Sequence, residues 1–390
     1  MDAANAASAG TKPAAQAPLS LFLMVNTLET GGSERQFAVL AESLSPAKFA
    51  VHLGCVHHRG DMAEHLGKIP EFPLGGSLYG WQSLRTRLRL SRHLRQNRVQ
   101  VAQGFDFYVN LTLVPAARLA GVPVVIGSHR QLGDLMTPAQ FRAQAVAFRW
   151  CDAVVCNSRA GADRLAASGL SREKLVVIGN ALPVTAFAPA LPALPRSGAP
   201  RVVMVARMNA HYKNHSGFLR IAAEVHKRMA AAEFVLVGDG PLRAEIEAQC
   251  AALGLGEQVR FLGDRRDIPA ILASTDVAVL TSDSEGLSNV ILEAMAVGLP
   301  VLAYDVGGNA ELVNDQRGAL ITAGNEGEFA AAILRLLRDA SLRAEAGKNA
   351  RQFVEENFTL DRVRRQYEEL YVNLLSQVLA RRTGRRKPVA

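Results

Sequence analysis

The stretch Ser282–Pro300, SDSEGLSNVILEAMAVGLP, follows directly on the apolar run Val277–Thr281. The run reads as a strand, the Ser/Asp/Gly-rich residues after it as a turn, and the periodic apolar positions from Ser288 onward as a helix. Ser288 suits the N-cap, and Gly298-Leu-Pro300 ends the helix. Such a strand-to-helix corner collects backbone N–H groups and the positive end of a helix dipole, so it favours phosphate. Glu285 and Glu293 stand eight residues apart across it, a distance of about two helical turns that would let them reach different parts of one long polar ligand. The spacing alone favours the plainer reading, a capping acid and a surface helix acid, so its surroundings have to overturn that.

Outward from this corner the same alternation recurs. Strand candidates in the first half are Leu19–Asn26, Val51–Val56, Val99–Gln103, Val122–Ile126 and Ala153–Asn157. Helical patterns lie between most of them, near 82–97, 108–119, 138–150 and 159–168, and an amphipathic helix carrying Phe37, Leu40, Ala41 and Leu44 follows the first strand. A proline-rich stretch at 188–200 reads as a linker. The alternation then restarts with Arg201–Ala206, Glu233–Val237, Val259–Leu262, Val277–Thr281 and Pro300–Tyr304, and beyond about 325 the pattern is only helical. The expected fold class is α/β, with two Rossmann-like domains whose parallel sheets face a central cleft. The expected division is a disordered tail at 1–17, a first domain at 18–190, a linker at 191–200 and a second domain at 201–358. A helix at 359–380 is expected to pack back on the first domain, followed by a basic tail at 381–390.

With 390 residues, 49% apolar and 21% charged, the chain has the composition of an enzyme of two α/β domains. Its longest apolar runs are strand-sized, and the Ala-rich first 17 residues lack the apolar core of a signal peptide. Cys55, Cys151, Cys156 and Cys250 show no metal-ligand spacing, so buried free thiols in a reducing compartment, the cytoplasm, are expected. The net charge of +8 is uneven. Residues 1–195 carry 19 Lys/Arg against 12 Asp/Glu, residues 196–380 carry 20 against 24, and the last ten residues add five cations.

Several residues are placed for chemistry. Gly31 and Gly32 sit where the first strand turns into a helix, allowing close approach of backbone to an anion or simply a tight turn. Arg207 ends the first strand of the second half, and Lys213 lies six residues on, a pair that can neutralise a diphosphate or stand solvated in a loop. Gly238 and Gly240 again follow a strand and precede a helix, and His129 with Arg130 follows the strand candidate at 122–126. Arg85, Arg87, Arg89, Arg92, Arg95 and Arg98 are interleaved with leucines in one helical pattern. A solvated face, an anionic membrane surface or a polyanionic substrate all suit it. Nucleic acid is disfavoured, because no aromatic residues are interleaved and no recognition motif accompanies it.

Taken in order, these segments resemble the retaining glycosyltransferases of family 4, also called glycosyl transferases group 1. The resemblance runs through Gly-Gly-Ser-Glu-Arg-Gln at 31–36, Asn157-Ser158, Val177–Asn180, Val205–Arg207 with Lys213-Asn214, Val237–Pro241 and Phe261–Gly263. It continues through Ser282–Pro300, Gly307-Gly308 and Glu311–Val313. It implies the GT-B fold, with 18–190 as the acceptor-side domain and 201–358 as the nucleotide-sugar-binding domain, and transfer of a sugar, of the hexosyltransferase type, from a UDP- or GDP-sugar to a glycan or lipid-linked acceptor with retention. By the same resemblance Glu293 holds the ribose, Glu285 contacts the donor sugar, Arg207 and Lys213 neutralise the diphosphate, and His129 or Arg130 faces the donor sugar. Backbone N–H groups around Leu287, Ser288, Asn289 and Val290, with those near Gly32, share the phosphate. No metal and no cofactor are expected, since no Asp-x-Asp pair is present. Two departures stand out: Asn180-Ala181-Leu182-Pro183 replaces the family's Asn-Gly-Ile-Asp, and the Arg207-to-Lys213 spacing is one residue longer than in the commonest members. The rival readings are a non-catalytic nucleotide-sugar binder and a sugar-nucleotide epimerase of the same fold. An NAD oxidoreductase is disfavoured by the absence of a dinucleotide fingerprint.

Overall fold

The computed structural model describes residues 17–384 apart from positions 30, 61, 79 and 196. The tails expected at 1–17 and 381–390 therefore lie almost entirely outside the described residues. Twelve strands form two six-stranded sheets. The first contains β1 (Leu19–Val25), β2 (Phe49–Cys55), β3 (Val101–Gly104), β4 (Val124–His129), β5 (Ala153–Cys156) and β6 (Leu175–Val177) in the order β2-β1-β3-β4-β5-β6. The second contains β7 (Arg201–Val205), β8 (Glu233–Val237), β9 (Val259–Phe261), β10 (Val277–Leu280), β11 (Val301–Tyr304) and β12 (Gly318–Ile321) in the order β12-β11-β10-β7-β8-β9. Every neighbouring pair is parallel. Helices cover both faces of each sheet, which is why the central strands are continuous apolar runs, buried throughout in β3, β4, β5, β10 and β11.

Strand order reverses between β1 and β3 in the first sheet and between β7 and β10 in the second. Crevices open outside the carboxyl ends of strands at such points, and ligands lodge there. Both crevices face the interior of the molecule, because the two sheets are set with these ends toward one another across a shared cleft.

Two strands escaped the sequence reading. β6 is a three-residue edge strand and β12 is four residues long with two half-buried positions, so neither leaves a run long enough to register. The crossing between domains also differs from the expected linker. Leu182 pairs with the backbone at 358–360, donating to Phe358 O at 2.8 Å and accepting from Leu360 N at 2.9 Å, so the two crossings lie side by side. The proline-rich stretch packs on the second domain instead: Ala193 N donates to Ala270 O, and Arg351 donates to Phe187 O. Prolines hold that stretch extended, and its Leu194, with Phe187 just before it, supplies apolar contacts to the second core.

The last helix, Leu360–Gly384, returns to the first domain and buries Val363, Tyr367, Tyr371 and Leu375 in a core shared with β1 and the helix Gly32–Ser43. The Tyr371 hydroxyl donates to Gln103 Oε1 at 2.6 Å, and Gln103 Nε2 donates to Ser128 Oγ at 3.0 Å, all buried. Tyr371→Phe leaves a buried acceptor unpaired and should cost about 1–3 kcal/mol, whereas Tyr371→Ala also opens a cavity and should cost about 3–5 kcal/mol. Urea unfolding followed by tryptophan fluorescence reads both; equal midpoints for wild type and Tyr371→Ala would mean the helix is not part of the first core.

Candidate active site

The corner at the end of β10 forms one wall of the cleft between the domains. Ser288 caps the helix Asn289–Ala296, its Oγ accepting from Ile291 N, and the first-turn N–H groups that have no intrahelical partner lie on the cleft side. Gly307 and Gly308 pass directly beneath this corner. Gly307 has φ +52°, and a Cβ on either glycine would overlap the carbonyl oxygens of Glu285 and Gly286. The backbone of 285–286 is thus seated on two residues that have no side chain to push it away.

Arg207 follows β7 on the same wall. Gly238, with φ +131°, lets the loop after β8 press against the Ala206 carbonyl next to it. Gly240 does the same for Met208 and does not line the cleft, so its place is in loop packing. Lys213 sits in a short 3-10 turn, His211–Lys213, tied down by the Thr281 hydroxyl donating to Asn214 O at 2.9 Å and by Asp283 N donating to Tyr212 O at 2.8 Å. These bonds deliver the Lys213 ammonium to Glu285, Nζ to Oε1 2.7 Å. The extra residue in the Arg207–Lys213 spacing is absorbed by this turn, and both cations reach the cleft.

The first domain supplies the facing wall. Gly31 and Gly32 open the helix Gly32–Ser43, and the Glu34 carboxylate folds back over Gly31, in the space a Cβ would fill. Burial pushes the Glu34 carboxyl up, opposed by its own backbone N–H and by Arg207. Arg35 reaches across the cleft to Glu293, Nη2 to Oε1 2.6 Å. A set of amides bolts the domains together beside this pair. Asn180 donates to Leu287 O at 3.0 Å and to Asn289 Oδ1 at 2.6 Å, and it accepts from Arg130 Nη2 at 2.6 Å. Gln36 exchanges hydrogen bonds with both backbone groups of Ala181. Further out, Ser284 Oγ donates to Asp134 at 2.6 Å, and Glu311 accepts from Arg159 N and Ala160 N at the start of the helix Arg159–Ala167.

The cleft has a volume of about 440 Å3. Gly31, Gly32, Arg130, Arg207, Lys213, Gly238, Glu285, Leu287, Ser288, Asn289, Val290 and Glu293 all line it. His129 does not. It ends β4 rather than following it and is 1% exposed, and burial takes its imidazole down to about 4. Its Nδ1 meets Gln144 Nε2 at 3.2 Å, and it borders a separate first-domain cavity. Arg130 is the one of the two that reaches the cleft, with its guanidinium also engaged by Asn180 and Tyr367. Arg35, Gln36 and Asn180 were not singled out as site residues by sequence, although all three lie inside stretches that carried the resemblance.

Chemically, the cleft offers two ion pairs that a ligand can exchange, Lys213–Glu285 and Arg35–Glu293, and one guanidinium, Arg207, without an ion-pair partner among the described residues. A helix N-terminus flanked by an arginine and a lysine favours a polyanion such as a diphosphate. A carboxylate just over one turn along the same helix can take two vicinal hydroxyls.

Residues 30–186 match a family model described as Glycosyltransferase Family 4, and residues 199–339 match one described as Glycosyl transferases group 1. The N-acetyl-alpha-D-glucosaminyl L-malate synthase of Bacillus anthracis is 34% identical over 159 residues, a stretch that spans 40% of this chain and only 40% of that relative's length. The UDP-Gal:alpha-D-GlcNAc-diphosphoundecaprenol alpha-1,3-galactosyltransferase of Escherichia coli is 29% identical over 282 residues, 67% of this chain and 72% of that one. HepE of Anabaena, solved in complex with UDP, superposes with a TM-score of 0.80 at 21% identity, covering 91% of this chain and 100% of that chain. The chain thus has the two-sheet GT-B fold of those structures, and each of its halves matches a glycosyltransferase domain model.

Proposed function

We propose that this chain is a retaining glycosyltransferase of family 4, moving a hexose from a UDP- or GDP-sugar to a glycan or lipid-linked acceptor in polysaccharide or glycolipid synthesis. The observation that carries this reading is the convergence of Arg207, Lys213, Glu285, Glu293 and the N–H groups of Leu287–Val290 on one cleft wall, opposite Gly31 and Gly32. The diphosphate lies between the two cations and the helix N-terminus, and the ribose hydroxyls take over Glu293 from Arg35. As the diphosphate draws Lys213 away, Glu285 is released to the donor sugar. The donor's anomeric C–O bond to phosphate breaks while the acceptor oxygen bonds the same carbon on the same face. The hydroxyl proton passes to the departing phosphate oxygen, so no side-chain base, metal or cofactor is called on. Charge develops on that oxygen, where Arg207 and the N–H groups count most. Support for a nucleotide-sugar donor comes from HepE, solved with UDP and with UDP-glucose, and for a lipid-linked acceptor from the Escherichia coli relative.

The reading includes a peripheral position on the cytoplasmic face of a membrane. The helix Trp81–Gln96 exposes Trp81, Leu84 and Leu88 beside Arg85 and Arg92, a mixed apolar and basic face suited to anionic lipid. Its buried stripe is Ser83, Thr86, Leu90, Ser91 and Leu94, so of the interleaved leucines Leu84 and Leu88 lie outside. Arg87, Arg89 and Arg95 bond backbone carbonyls, which leaves Arg85, Arg92 and Arg98 as the cations to meet a surface. Among the described residues no helix is long and apolar enough to cross a membrane. The four cysteines are free and buried, and burial pushes the Cys55, Cys151 and Cys156 thiols up to about 12, which suits a reducing compartment.

Incubation with labelled UDP-glucose, UDP-galactose, UDP-N-acetylglucosamine and GDP-mannose and a membrane-lipid extract should give a labelled product whose NMR coupling constant reports the donor's anomeric configuration. Inversion, or nucleotide binding without turnover, contradicts the reading. Arg207→Ala should lower kcat about 10²–10³-fold, in line with loss of one oxyanion donor. By calorimetry, Glu293→Ala should weaken UDP or GDP at least tenfold. Arg35→Ala should tighten it about two- to fivefold, the scale of a half-exposed ion pair that no longer competes; weaker binding would make Arg35 a nucleotide contact instead. Charge reversal at Arg85 and Arg92 with Trp81→Ala should abolish co-sedimentation with anionic vesicles, and persistence would rule out this face.

A further inference from the structure

The cleft lies outside the carboxyl ends of the second sheet, where Val205, Val237 and Leu280 reach it. A second hollow, of about 590 Å3, sits at the opposite end of the same domain, walled by Arg228, Leu334, Arg335, Arg338, Asp339 and Ala340. The helix His215–Arg228 starts beside the cleft, where Asn214 caps it, and its 14 residues carry Arg228 about 21 Å back toward the amino ends of the strands. Arg338 ends the helix Glu326–Arg338, which packs alongside, and the helix Ala340–Asn357 starts directly after it. The hollow and the cleft have no lining residue in common.

Three guanidiniums line this hollow without matching carboxylates. Arg335 and Arg338 have no ion-pair partner among the described residues. Arg228 stands 3.9 Å from Glu224, which Lys227 already takes at 2.6 Å. Asp339 is the one acid on the wall, and its Oδ1 accepts from Leu342 N at 2.9 Å to cap the helix Ala340–Asn357. Cations in the last turn of a helix often serve its carbonyls and dipole. Here Arg343 fills that place, its Nη1 donating to Leu336 O at 2.8 Å and to Leu337 O at 3.2 Å. Residues 196–380 as a whole are slightly acidic, with 20 Lys/Arg against 24 Asp/Glu, so composition does not account for a cluster of unmatched cations. Like charges gathered at one groove repel, and an anion bound among them removes that cost.

We propose that this groove is a second anion site, separate from the donor cleft, and that it takes a ligand bearing two or more phosphate groups on Arg228, Arg335 and Arg338. Guanidinium forks suit phosphate oxygens, which they can hold two at a time, and three of them match the charge of a diphosphate or triphosphate. A soluble oligophosphate and the headgroup of a lipid diphosphate present this same chemistry. Because the two sites share no residue, such a ligand and a nucleotide can be held at the same time.

The test is calorimetry on the full chain with tripolyphosphate, pyrophosphate and sulfate at one ionic strength. The cleft is silenced by combining Arg207→Ala with Lys213→Ala. Should that chain not fold, wild type saturated with whichever of UDP and GDP it binds takes its place. Tripolyphosphate should still bind saturably, and about tenfold or more tighter than sulfate, since several charge-assisted bonds replace one. Arg335→Gln with Arg338→Gln, both at exposed positions, should weaken it about tenfold or more. The same pair in an otherwise wild-type chain should leave the UDP or GDP Kd within about twofold, as expected of distant sites. Farnesyl diphosphate identifies the source: tighter binding than pyrophosphate marks a lipid-borne diphosphate, and equal or weaker binding a soluble oligophosphate. Binding that vanishes when the cleft is silenced, that sulfate matches, or that ignores the Arg335 and Arg338 substitutions would overturn the second site.

Discussion

One constraint governs this molecule: the backbone from Ser284 to Val290 must leave β10, turn, and enter a helix without its first N–H groups being claimed by protein. The neighbouring segments are arranged around that requirement. Gly307 and Gly308 carry no side chain that would displace Glu285 and Gly286. Asn180 and Asn289 hold the turn's flank through side-chain amides, leaving its backbone donors free. The first domain also approaches without covering them: a Cβ on Gly286 would lie 2.7 Å from Arg130 O, so the walls touch at one edge of the corner while the cleft stays open beside it.

The same economy holds for charge. Two of the carboxylates lining the cleft are each matched by a cation that comes from another segment: Lys213 for Glu285, and Arg35 for Glu293. Carboxylates left unpaired at such burial would be costly. Partners of this kind satisfy the carboxylates and remain exchangeable for a polar ligand. The Arg35–Glu293 pair spans the two domains, beside the paired crossing formed by Leu182 and the 358–360 segment.

Much of this was legible in the residues. The alternation of apolar runs and helical patterns located ten of the twelve strands, and Ser288 as N-cap with Gly298 past the end gave the central helix closely. Edge strands β6 and β12 were too short to leave a pattern. The proline-rich stretch was read for its composition, which says extended chain but not which domain it lies against; tertiary contacts made it part of the second domain. In the site, types with obvious chemistry were found, while Gln36, Asn180 and Arg35 were not, because an amide's role as a bolt between domains depends on its partner and no spacing encodes that. His129 shows the reverse case. Its residue type suggested function, but its position on the strand turns it into a buried neutral ring beside Phe141 and Phe148.

The account stands or falls on what occupies the corner after β10, and a crystal structure grown with UDP or GDP would answer it most directly. The predicted result is a diphosphate held by Arg207, Lys213 and the first-turn N–H groups of the helix Asn289–Ala296, with both ribose hydroxyls on Glu293 and Arg35 swung away. A nucleotide bound elsewhere, with the Arg35–Glu293 and Lys213–Glu285 pairs intact, would contradict it.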